Sequence, residues 1–386
     1  MKKAIVVGGS NGIGLSIVRK LMQQHYHVHI VDIVEPEKKL LSEFDQYSYH
    51  YCNLLNMDEA LFQMFAEDER VDTLMITAGF GRVAEFEYLH PAEIENILQV
   101  NTVAALKIIR YFYDKLKSER AFYCGIMGSI AGWVSSPLFS VYAASKAAIC
   151  RFVESVNIEL EAFGTRNRIL NVSPGSIKGT KFNGGDNDLT QTETLAEEIV
   201  SAMQRHTELY IPQYETVYQS VLERYHNDAH GYGLHSYQYK MDAGRVENVS
   251  RVKIGYLSGT FDLFHVGHLK LLQRAKQHCD YLIVGVHPDA SHKGKETFIP
   301  FEERKEIVAG CKYVDKVVQS CAEDSDAWEL HHFNRLFVGS DYKGTERFNR
   351  YEEFFKTKDV EIIYFPYTQG TSSTQIRETI LRKSGR

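Results

Sequence analysis

The chain has 386 residues, 44% of them hydrophobic and 24% charged, which is more than one compact core usually spans and therefore predicts two domains. Its 50 acidic and 44 basic residues give a formal net charge of −6, which excludes a basic field for nucleic acid or a polybasic membrane-binding patch. The six cysteines form no C-x-x-C pair, so neither a zinc ribbon nor a disulfide framework is predicted. The sequence has no apolar run of about 18 residues, which favours a soluble protein, and the cysteine pattern fits reduced thiols in the cytoplasm.

A short buried strand, a glycine-containing turn and an amphipathic helix follow one another twice, first from Ala4 and again from Lys253. Strands alternating with helices predict an α/β protein with two Rossmann-like, doubly wound parallel sheets in tandem. The stretch from His226 to Val249 mixes polar and aromatic residues without a clear period. We therefore place the boundary near residue 246 and expect domains at 1–246 and 252–386; because the halves share no motif, they are not a duplication.

The first turn predicts a dinucleotide site. Its glycines allow the backbone to approach a pyrophosphate closely at the start of a helix. Asp32 ends the second strand about 20 residues later, where a carboxylate binds the adenosine ribose. That carboxylate repels a 2′-phosphate and no basic residue follows before Lys38, so NADH is favoured over NADPH. The residues predicted to bind the dinucleotide here are Gly8, Ser10, Asn11, Gly12, Ile13, Gly14 and Asp32.

A tyrosine and a lysine four residues apart, Tyr142 and Lys146, would share one face of a helix. The spacing alone proves nothing, because the pair Tyr111 and Lys115 has it too. Tyr142 differs in context, since Ser129 follows a strand-like run and precedes it by 13 residues. A phenol titrates near 10, so a nearby ammonium would help it act as an acid or base near neutrality, while Ser129 could bind the substrate oxygen.

With these residues the first 245 or so positions resemble a short-chain dehydrogenase/reductase. The resemblance implies a Rossmann fold in which Tyr142 exchanges a proton with the carbinol oxygen. Lys146 would bind the nicotinamide ribose and lower the pKa of Tyr142. It also implies a proton-relay water on Asn101 and cofactor contacts from Ala78, Gly79, Pro174, Gly175 and Thr180. Thr77 and Asn53 depart from the family pattern, and a cofactor-binding pseudoenzyme remains the alternative.

The most specific string is the decapeptide from Gly259 to His268. His265 and His268 flank Val266 and a glycine at a strand-to-helix turn, so both imidazoles could face one triphosphate. A capping turn with two surface histidines would not require Gly259, Asp262 and the glycine as well. A zinc site lacks evident third and fourth ligands, and no metal site is predicted.

This string resembles the H-x-G-H signature of nucleotidyltransferases, and residues from about 252 to 380 are similar to glycerol-3-phosphate cytidylyltransferases. The resemblance implies that His265 and His268 stabilise charge on the CTP phosphates with help from Lys293 and Mg²⁺. Tyr367 and Gln369 replace the arginine and glutamate usual in the family's last motif, which puts the acceptor in doubt. The residues implied to bind CTP are Gly259, Thr260, Phe261, His265, His268, Lys293, Arg304, Gly339, Asp341, Thr371, Ser372, Ser373 and Thr374.

Joining the two resemblances predicts a bifunctional enzyme. A ketose phosphate would be reduced with NAD(P)H to a polyol phosphate, which would take CMP from CTP to give a CDP-polyol for a capsule, teichoic acid or other surface glycan. The sequence does not distinguish a pentulose phosphate from a hexulose phosphate as the substrate. The alternatives are cytidylyl transfer first, with reduction of the CDP-sugar, or a first domain that only dimerises. Proteins of both families commonly form dimers, so a homodimer or larger homo-oligomer is expected.

Overall fold

The computed structural model describes residues 1–180, 182, 187–247, 252–289, 296–366, 376 and 382. The chain folds into two compact units, Met1–Ser250 and Arg251–Arg386. Both are α/β, and each has one parallel sheet at its centre. No helix among the described residues is both long enough and apolar enough to cross a membrane.

The first unit contains a seven-stranded parallel sheet in the order β3-β2-β1-β4-β5-β6-β7. Its inner strands are nearly continuous runs of buried residues, as expected for strands covered by helices on both faces. The strands are β1 (Lys3–Val7), β2 (His27–Asp32), β3 (Tyr47–Tyr51), β4 (Val71–Ile76), β5 (Tyr123–Met127), β6 (Ile169–Val172) and β7 (Leu209–Tyr210).

Helices cover both faces of this sheet and form two hydrophobic cores, one on each side. The chain reverses its direction of winding between β1 and β4, which places a crevice at their carboxyl ends. The helices are α1 (Gly12–Gln23), α2 (Glu59–Glu67), α3 (Pro91–Leu98), α4 (Ala105–Tyr111), α5 (Tyr113–Lys117), α6 (Ser140–Phe163), α7 (Glu193–Gln204), α8 (Gln219–Asn227) and α9 (Ala229–Asp242).

The second unit contains a five-stranded parallel sheet in the order β10-β9-β8-β11-β12, with its switch point between β8 and β11. Its strands are β8 (Ile254–Gly259), β9 (Tyr281–Val286), β10 (Lys316–Gln319), β11 (Arg335–Gly339) and β12 (Glu361–Phe365). Its helices are α10 (Val266–Gln277), α11 (Phe301–Ala309), α12 (Asp324–His331) and α13 (Glu346–Lys356).

The segment before the domain boundary differs from the sequence interpretation. It contains the helices α8 and α9, although no period was evident there. In α9 aromatic and polar residues occur all round the helix and only Gly233 is fully buried, so the sequence carries no apolar stripe at helical spacing. Asp228 accepts a hydrogen bond from Gly231 N–H at 2.8 Å and so caps the start of α9.

Candidate active sites of the two units

The glycine turn of the first unit, between β1 and α1, packs tightly against the loop that follows β4. Gly8 has a φ of 83°, and a Cβ on it would lie 2.5 Å from the backbone nitrogen of Ala78. A Cβ on Gly14 would lie 2.1 Å from the carbonyl oxygen of Gly8. Only glycine fits at either position, so the backbone rather than side chains forms this edge of the crevice.

Two features of this turn fit a bound dinucleotide. Ser10 Oγ is buried and has no hydrogen-bond partner in the part of the chain that the structure describes. Helix α1 begins at Gly12, and a helix start offers unpaired N–H groups and a favourable dipole to a pyrophosphate. Ile13 lies in the first turn of the helix. A cofactor phosphate here would give the buried hydroxyl the partner that it lacks.

The Asp32 carboxylate is held at the carboxyl end of β2. Its Oδ2 accepts a hydrogen bond from Ser10 N–H at 3.0 Å, and its Oδ1 accepts one from Ile33 N–H at 2.7 Å. The carboxylate therefore has a fixed position beside the glycine turn. A negative charge fixed there disfavours a 2′-phosphate on the adenosine ribose.

The four groups implied to act on substrate converge at the carboxyl ends of β4 and β5. Ser129 follows β5, and Tyr142 and Lys146 lie one turn apart on α6. Lys146 Nζ donates to the carbonyl oxygen of Met127 at 2.7 Å. A Cβ on Gly79 would lie 3.1 Å from Asn101 Oδ1 and 3.3 Å from Lys146 Nζ, so both side chains meet at this glycine.

Asn101 is oriented by backbone and by a second serine. Its Nδ2 donates to the carbonyl oxygen of Phe80 at 2.8 Å and to Ser145 Oγ at 3.0 Å, and its Oδ1 accepts from Phe80 N–H at 3.0 Å. It lies in the π-helical turn Gln99–Ala104, a kind of irregularity often found at functional sites. Ser145 is a positioning residue that the sequence interpretation missed; only its place between Tyr142 and Lys146 could have signalled it.

The pKa values of the tyrosine and the lysine move in opposite directions. Burial raises the pKa of Tyr142 to about 12, although a hydrogen bond with Ser129 opposes that rise. Burial lowers the pKa of Lys146 to about 8. The expectation that Lys146 lowers the pKa of Tyr142 is thus not met among these residues, because desolvation outweighs every other influence on the phenol. At neutral pH Tyr142 is protonated and suited to donating a proton.

The pair Tyr111 and Lys115, which has the same spacing, is built differently. Helix α4 ends at Tyr111, the chain leaves helical geometry at Phe112, and α5 begins one residue later. Tyr111 Oη donates to Glu59 Oε2 at 2.7 Å on the surface, and Lys115 Nζ donates to the carbonyl oxygen of Asp68 at 3.0 Å. Burial and continuity of one helix, not spacing, distinguish Tyr142 and Lys146.

The remaining predicted cofactor residues lie along the same edge. Thr180 is buried against Gly12, whose Cβ would lie 3.3 Å from its methyl group. Pro174 and Gly175 follow β6, and Gly175 packs directly against the Tyr218 hydroxyl. Asn187, which the sequence interpretation missed, accepts from Gly12 N–H at 2.9 Å through Oδ1 and donates to Asn11 Oδ1 at 2.9 Å.

Thr77, noted in the sequence as a departure from the family pattern, joins the glycine turn to β4. Its hydroxyl lies 3.0 Å from the carbonyl oxygen of Val7 and 2.9 Å from that of Gly8. The threonine therefore has a structural role at the position.

In the second unit, His265 and His268 form a cap at the start of α10. Gly267 N–H donates to His265 Nδ1 at 3.0 Å, and His265 N–H donates to His268 Nδ1 at 3.4 Å. An imidazole that accepts at Nδ1 carries its proton on Nε2 when it is neutral. Burial lowers the pKa of His265, which favours this neutral form at pH 7. Both rings are thereby oriented as Nε2–H donors.

The turn between β8 and α10 contains two residues in a strained backbone conformation and one buried hydroxyl without a hydrogen-bond partner among the described residues. Both features are common in ligand-binding loops. Phe261 and Leu263 have φ values of 52° and 50°, which are uncommon for residues with side chains. Thr260 Oγ1 is buried without a partner among the described residues, so a bound phosphate would satisfy it. The Phe261 ring is buried against Gly259 and His268, so only the backbone of Phe261 is available to a nucleotide.

Arg304 has a different position from the one expected of a CTP ligand. Its side chain is fully buried, and its guanidinium donates to four backbone carbonyl oxygens. These belong to Ile299 (2.9 Å), Pro288 (2.8 Å), Thr260 (2.5 Å) and His287 (2.8 Å). Asp262 completes this clamp by accepting from Phe298 N–H and Ile299 N–H. Arg304 thus holds the binding turn in place, and the predicted direct contact with CTP is corrected to a positioning role.

Two further predicted residues, Gly339 and Asp341, lie at the carboxyl end of β11, across the switch point from β8. Lys293, Thr371, Ser372, Ser373 and Thr374 lie outside the described residues. Within the described ranges, no group of three or more His, Cys, Asp or Glu residues could hold a metal ion.

Comparison with known proteins identifies both units. The short-chain dehydrogenase family model matches residues 2–190, and the cytidylyltransferase-like model matches residues 256–379. Glycerol-3-phosphate cytidylyltransferase of Bacillus subtilis (strain 168) is 36% identical over 126 residues, which are 32% of this chain and 92% of that protein. The chain belongs to the cytidylyltransferase family through its second unit, and its first unit is a short-chain dehydrogenase domain. It joins a short-chain dehydrogenase unit, an oxidoreductase, to a cytidylyltransferase unit, a nucleotidyltransferase.

Relatives of the dehydrogenase unit are more distant. The probable short-chain type dehydrogenase/reductase VdlC of Helicobacter pylori (strain J99) is 25% identical over 212 residues, or 54% of this chain and 77% of that protein. A short-chain dehydrogenase/reductase from Burkholderia phymatum, solved in complex with NAD, has a TM-score of 0.51 at 16% identity, covering 59% of this chain and 93% of its own. That likeness establishes the Rossmann fold of the dehydrogenase unit.

Proposed function

We propose that the protein reduces a ketose phosphate with NAD(P)H and then transfers CMP from CTP to the resulting polyol phosphate, giving a CDP-polyol and pyrophosphate. The observation that carries this proposal is the presence in one chain of two arranged sites: Tyr142 with Ser129, Lys146 and Asn101, and the histidine pair at the start of α10. A transferase for polyol phosphates needs such an acceptor, and a reductase acting on a ketose phosphate makes one.

In the reduction, NAD(P)H when bound supplies the hydride. Ser129 binds the substrate carbonyl oxygen, and Tyr142 donates its proton to that oxygen as negative charge develops there. The raised pKa of Tyr142 keeps that proton in place at neutral pH. Burial lowers the pKa of Lys146 to about 8, so Lys146, which lies beside Asn101, can return a proton to Tyr142 after the transfer.

The cofactor proposed for this unit is NADH. The Asp32 carboxylate, held by two backbone N–H groups, disfavours the additional phosphate of NADPH. The buried Ser10 hydroxyl and the two obligatory glycines of the turn fit a pyrophosphate.

In the transfer, an oxygen of the polyol phosphate attacks the α-phosphorus of CTP and pyrophosphate leaves. A phosphate monoester is already an anion, so no general base is required. The Nε2–H groups of His265 and His268 donate to phosphate oxygens as their charge increases, and Mg²⁺ is proposed to enter with the triphosphate. Because the described residues offer no ligand cage, the metal would be held chiefly by CTP.

The reversed order and a non-catalytic dehydrogenase unit are the competing functions. The meeting of Asn101 and Lys146 at Gly79 argues against a unit that only dimerises, since a scaffold has no need of a buried lysine at this position. We propose the reduction-first order because it provides the acceptor that the transferase consumes, in a homodimer working in the cytoplasm on surface-glycan precursors.

The test uses the full chain with MgCl₂, CTP and a panel of ketose phosphates, pentulose and hexulose, with and without NADH or NADPH. Dinucleotide oxidation and pyrophosphate release are followed together. We expect pyrophosphate only when reduced dinucleotide is present, and a supplied polyol phosphate should restore it without dinucleotide. Pyrophosphate from a ketose phosphate in the absence of dinucleotide would exclude the reduction-first order.

A further inference from the structure

Lys240 on α9 is a half-buried ammonium whose hydrogen-bond partners in the described part of the chain are neutral. Its Nζ donates to Ser136 Oγ at 2.8 Å and to the carbonyl oxygen of Pro137 at 2.7 Å. Both acceptors are neutral, and in the part of the chain that is described no carboxylate forms an ion pair with it. Burial lowers the pKa of Lys240 to about 8, so it remains mostly charged at neutral pH. Desolvating a charge without a counter-charge is costly, which makes such a group a candidate for binding an anion.

The segment that Lys240 holds lies between two groups of the reductive site. Ser136 and Pro137 follow Ser129 and precede Tyr142 along the chain. The next residues reach the catalytic tyrosine, because the Phe139 ring stacks on the Tyr142 ring with centroids 4.1 Å apart. Lys240 is therefore linked to the reacting end of the site through a short, packed segment.

An open cavity of about 380 Å³ lies between part of this segment and the first turns of α9. Ser135 and Pro137 line one side, and His230, Gly233 and Tyr237 line the other. Residues 230, 233, 237 and 240 follow one another at helical spacing, so Lys240 lies one turn beyond the cavity on the same face of α9. The walls are mainly apolar, which suits a carbon chain, so selectivity for an anion must come from the groups at the edge.

A second polar group at this place lacks a partner. Ser135 Oγ is buried, and no described residue hydrogen-bonds to it. It faces the backbone of α9 at Gly233, where a Cβ would lie 3.3 Å from it. A buried hydroxyl without a partner is unfavourable and is uncommon in folded proteins.

We propose that Lys240, with Ser135 Oγ, binds the phosphate group of the reductase substrate, while the cavity holds part of its carbon chain. The ammonium has three N–H groups and uses two, so one remains to donate to a phosphate oxygen. This inference rests on the proposed reduction of a phosphorylated ketone and assigns the chemical feature by which the dehydrogenase unit selects it.

The first test compares a ketose phosphate with the same ketose lacking phosphate in the reductase assay of the full chain. We expect Lys240→Met to raise KM for the ketose phosphate roughly tenfold to a hundredfold more than KM for the unphosphorylated ketose, the effect of losing one charged hydrogen bond to the phosphate. Lys240→Arg should keep most of the affinity. An equal loss on both ketoses, or no change on either, overturns the proposal.

Lys115→Met is the matched control, because Lys115 is also partly buried, has a lowered pKa and donates to a backbone carbonyl, but lies away from the site. It should behave as wild type toward both ketoses. Ser135→Ala is a second variant that removes a hydroxyl without a described partner and should therefore fold normally. It should raise KM for the ketose phosphate alone.

A second measurement is independent of turnover. The thermal midpoint of the full chain is measured in inorganic phosphate and in sodium chloride of equal ionic strength. The increase caused by phosphate should occur in wild type and Lys115→Met and be smaller in Lys240→Met and Ser135→Ala. If it is smaller there while no ketose phosphate is reduced, the phosphate site stands and the proposed function fails. An equal increase in all four proteins overturns the site.

Discussion

His265 and His268 stack with their ring centroids 4.0 Å apart and their planes 26° from parallel. The arrangement is fixed by the start of α10, where each Nδ1 accepts a backbone N–H group. Helix capping uses the Nδ1 atoms, and the phosphate binding that we propose would use the opposite nitrogens of the same rings. Two residues separate the histidines because N-cap and N3 are the positions that a capping box pairs.

Replacing His265 by asparagine separates the two roles of the ring. Asparagine is a good N-cap residue and should keep the start of α10, but it lacks the Nε2–H donor. We expect His265→Asn to leave the melting temperature nearly unchanged and to lower cytidylyl transfer by a factor of about 10²–10³, the usual effect of losing one charge-stabilising donor. Pyrophosphate release with a supplied polyol phosphate measures the loss, and normal transfer would show that the imidazole has only a capping role.

Tyr142→Phe removes the proposed proton donor while keeping the stacked ring. Dinucleotide oxidation should fall by a factor of about 10²–10⁴ because general acid catalysis is lost. Cytidylyl transfer to a supplied polyol phosphate should be unchanged. Tyr111→Phe, at the surface pair of equal spacing, is the control. Loss of both activities in a folded Tyr142→Phe protein would contradict independent sites.

Asp32 is predicted to set the dinucleotide preference. Asp32→Asn retains an oxygen that can accept from Ser10 N–H but removes the charge, whereas Asp32→Ala removes both. If charge decides, both variants should gain roughly tenfold or more in kcat/KM for NADPH relative to NADH, since unscreened repulsion of about 1.4 kcal/mol corresponds to that factor. An unchanged ratio of the two kcat/KM values would reject the assignment of NADH.

Arg304→Met should destabilise the cytidylyltransferase unit. The guanidinium is fully buried and satisfies four carbonyl oxygens, and each buried acceptor left without a partner costs roughly 1–3 kcal/mol. Denaturant unfolding should show this loss, with lower transferase activity and normal dinucleotide oxidation. A stable variant with only a higher KM for CTP would instead indicate direct contact with the nucleotide.

A histidine cluster gives the dehydrogenase unit a stability that depends on pH. His29 is 9% exposed, and its Nδ1 lies 3.0 Å from His50 Nε2 on the neighbouring strand. Burial, followed by the proximity of His50, lowers the pKa of His29 to about 4. Below the unfolded value of about 6.5, the unfolded chain binds a proton that the folded chain resists, so stability should fall as the pH drops from 6.5 toward 4, by up to about 3 kcal/mol.

Unfolding by urea at several pH values tests this dependence. His29→Gln should flatten the curve of unfolding free energy against pH in that window, whereas His226→Gln, on an exposed part of α8, should leave the curve as in wild type. A curve of the same slope in His29→Gln would assign the effect to other groups.

Local patterns in the sequence predicted the features that depend on neighbours along the chain. These features are the two strand–turn–helix starts, the four-residue separation of Tyr142 and Lys146, and the H-x-G-H string. Each is a short stretch of contiguous sequence, so the order of residues specifies it directly. The parallel sheets, the short-chain dehydrogenase domain and the cytidylyltransferase domain that these patterns predicted are confirmed.

Features that depend on contacts across the fold required the tertiary structure. The family resemblance implied that Arg304 binds CTP, because the sequence does not reveal that four carbonyl oxygens surround its guanidinium. The rise of the Tyr142 pKa likewise reflects burial of the phenol, which the sequence does not show. Helix α9 has no apolar stripe, so only its packing on the segment after Ser129 revealed Lys240 as a half-buried charge. Sequence determines which groups are present and how they are spaced, whereas burial and long-range partners determine their charge and what they can bind.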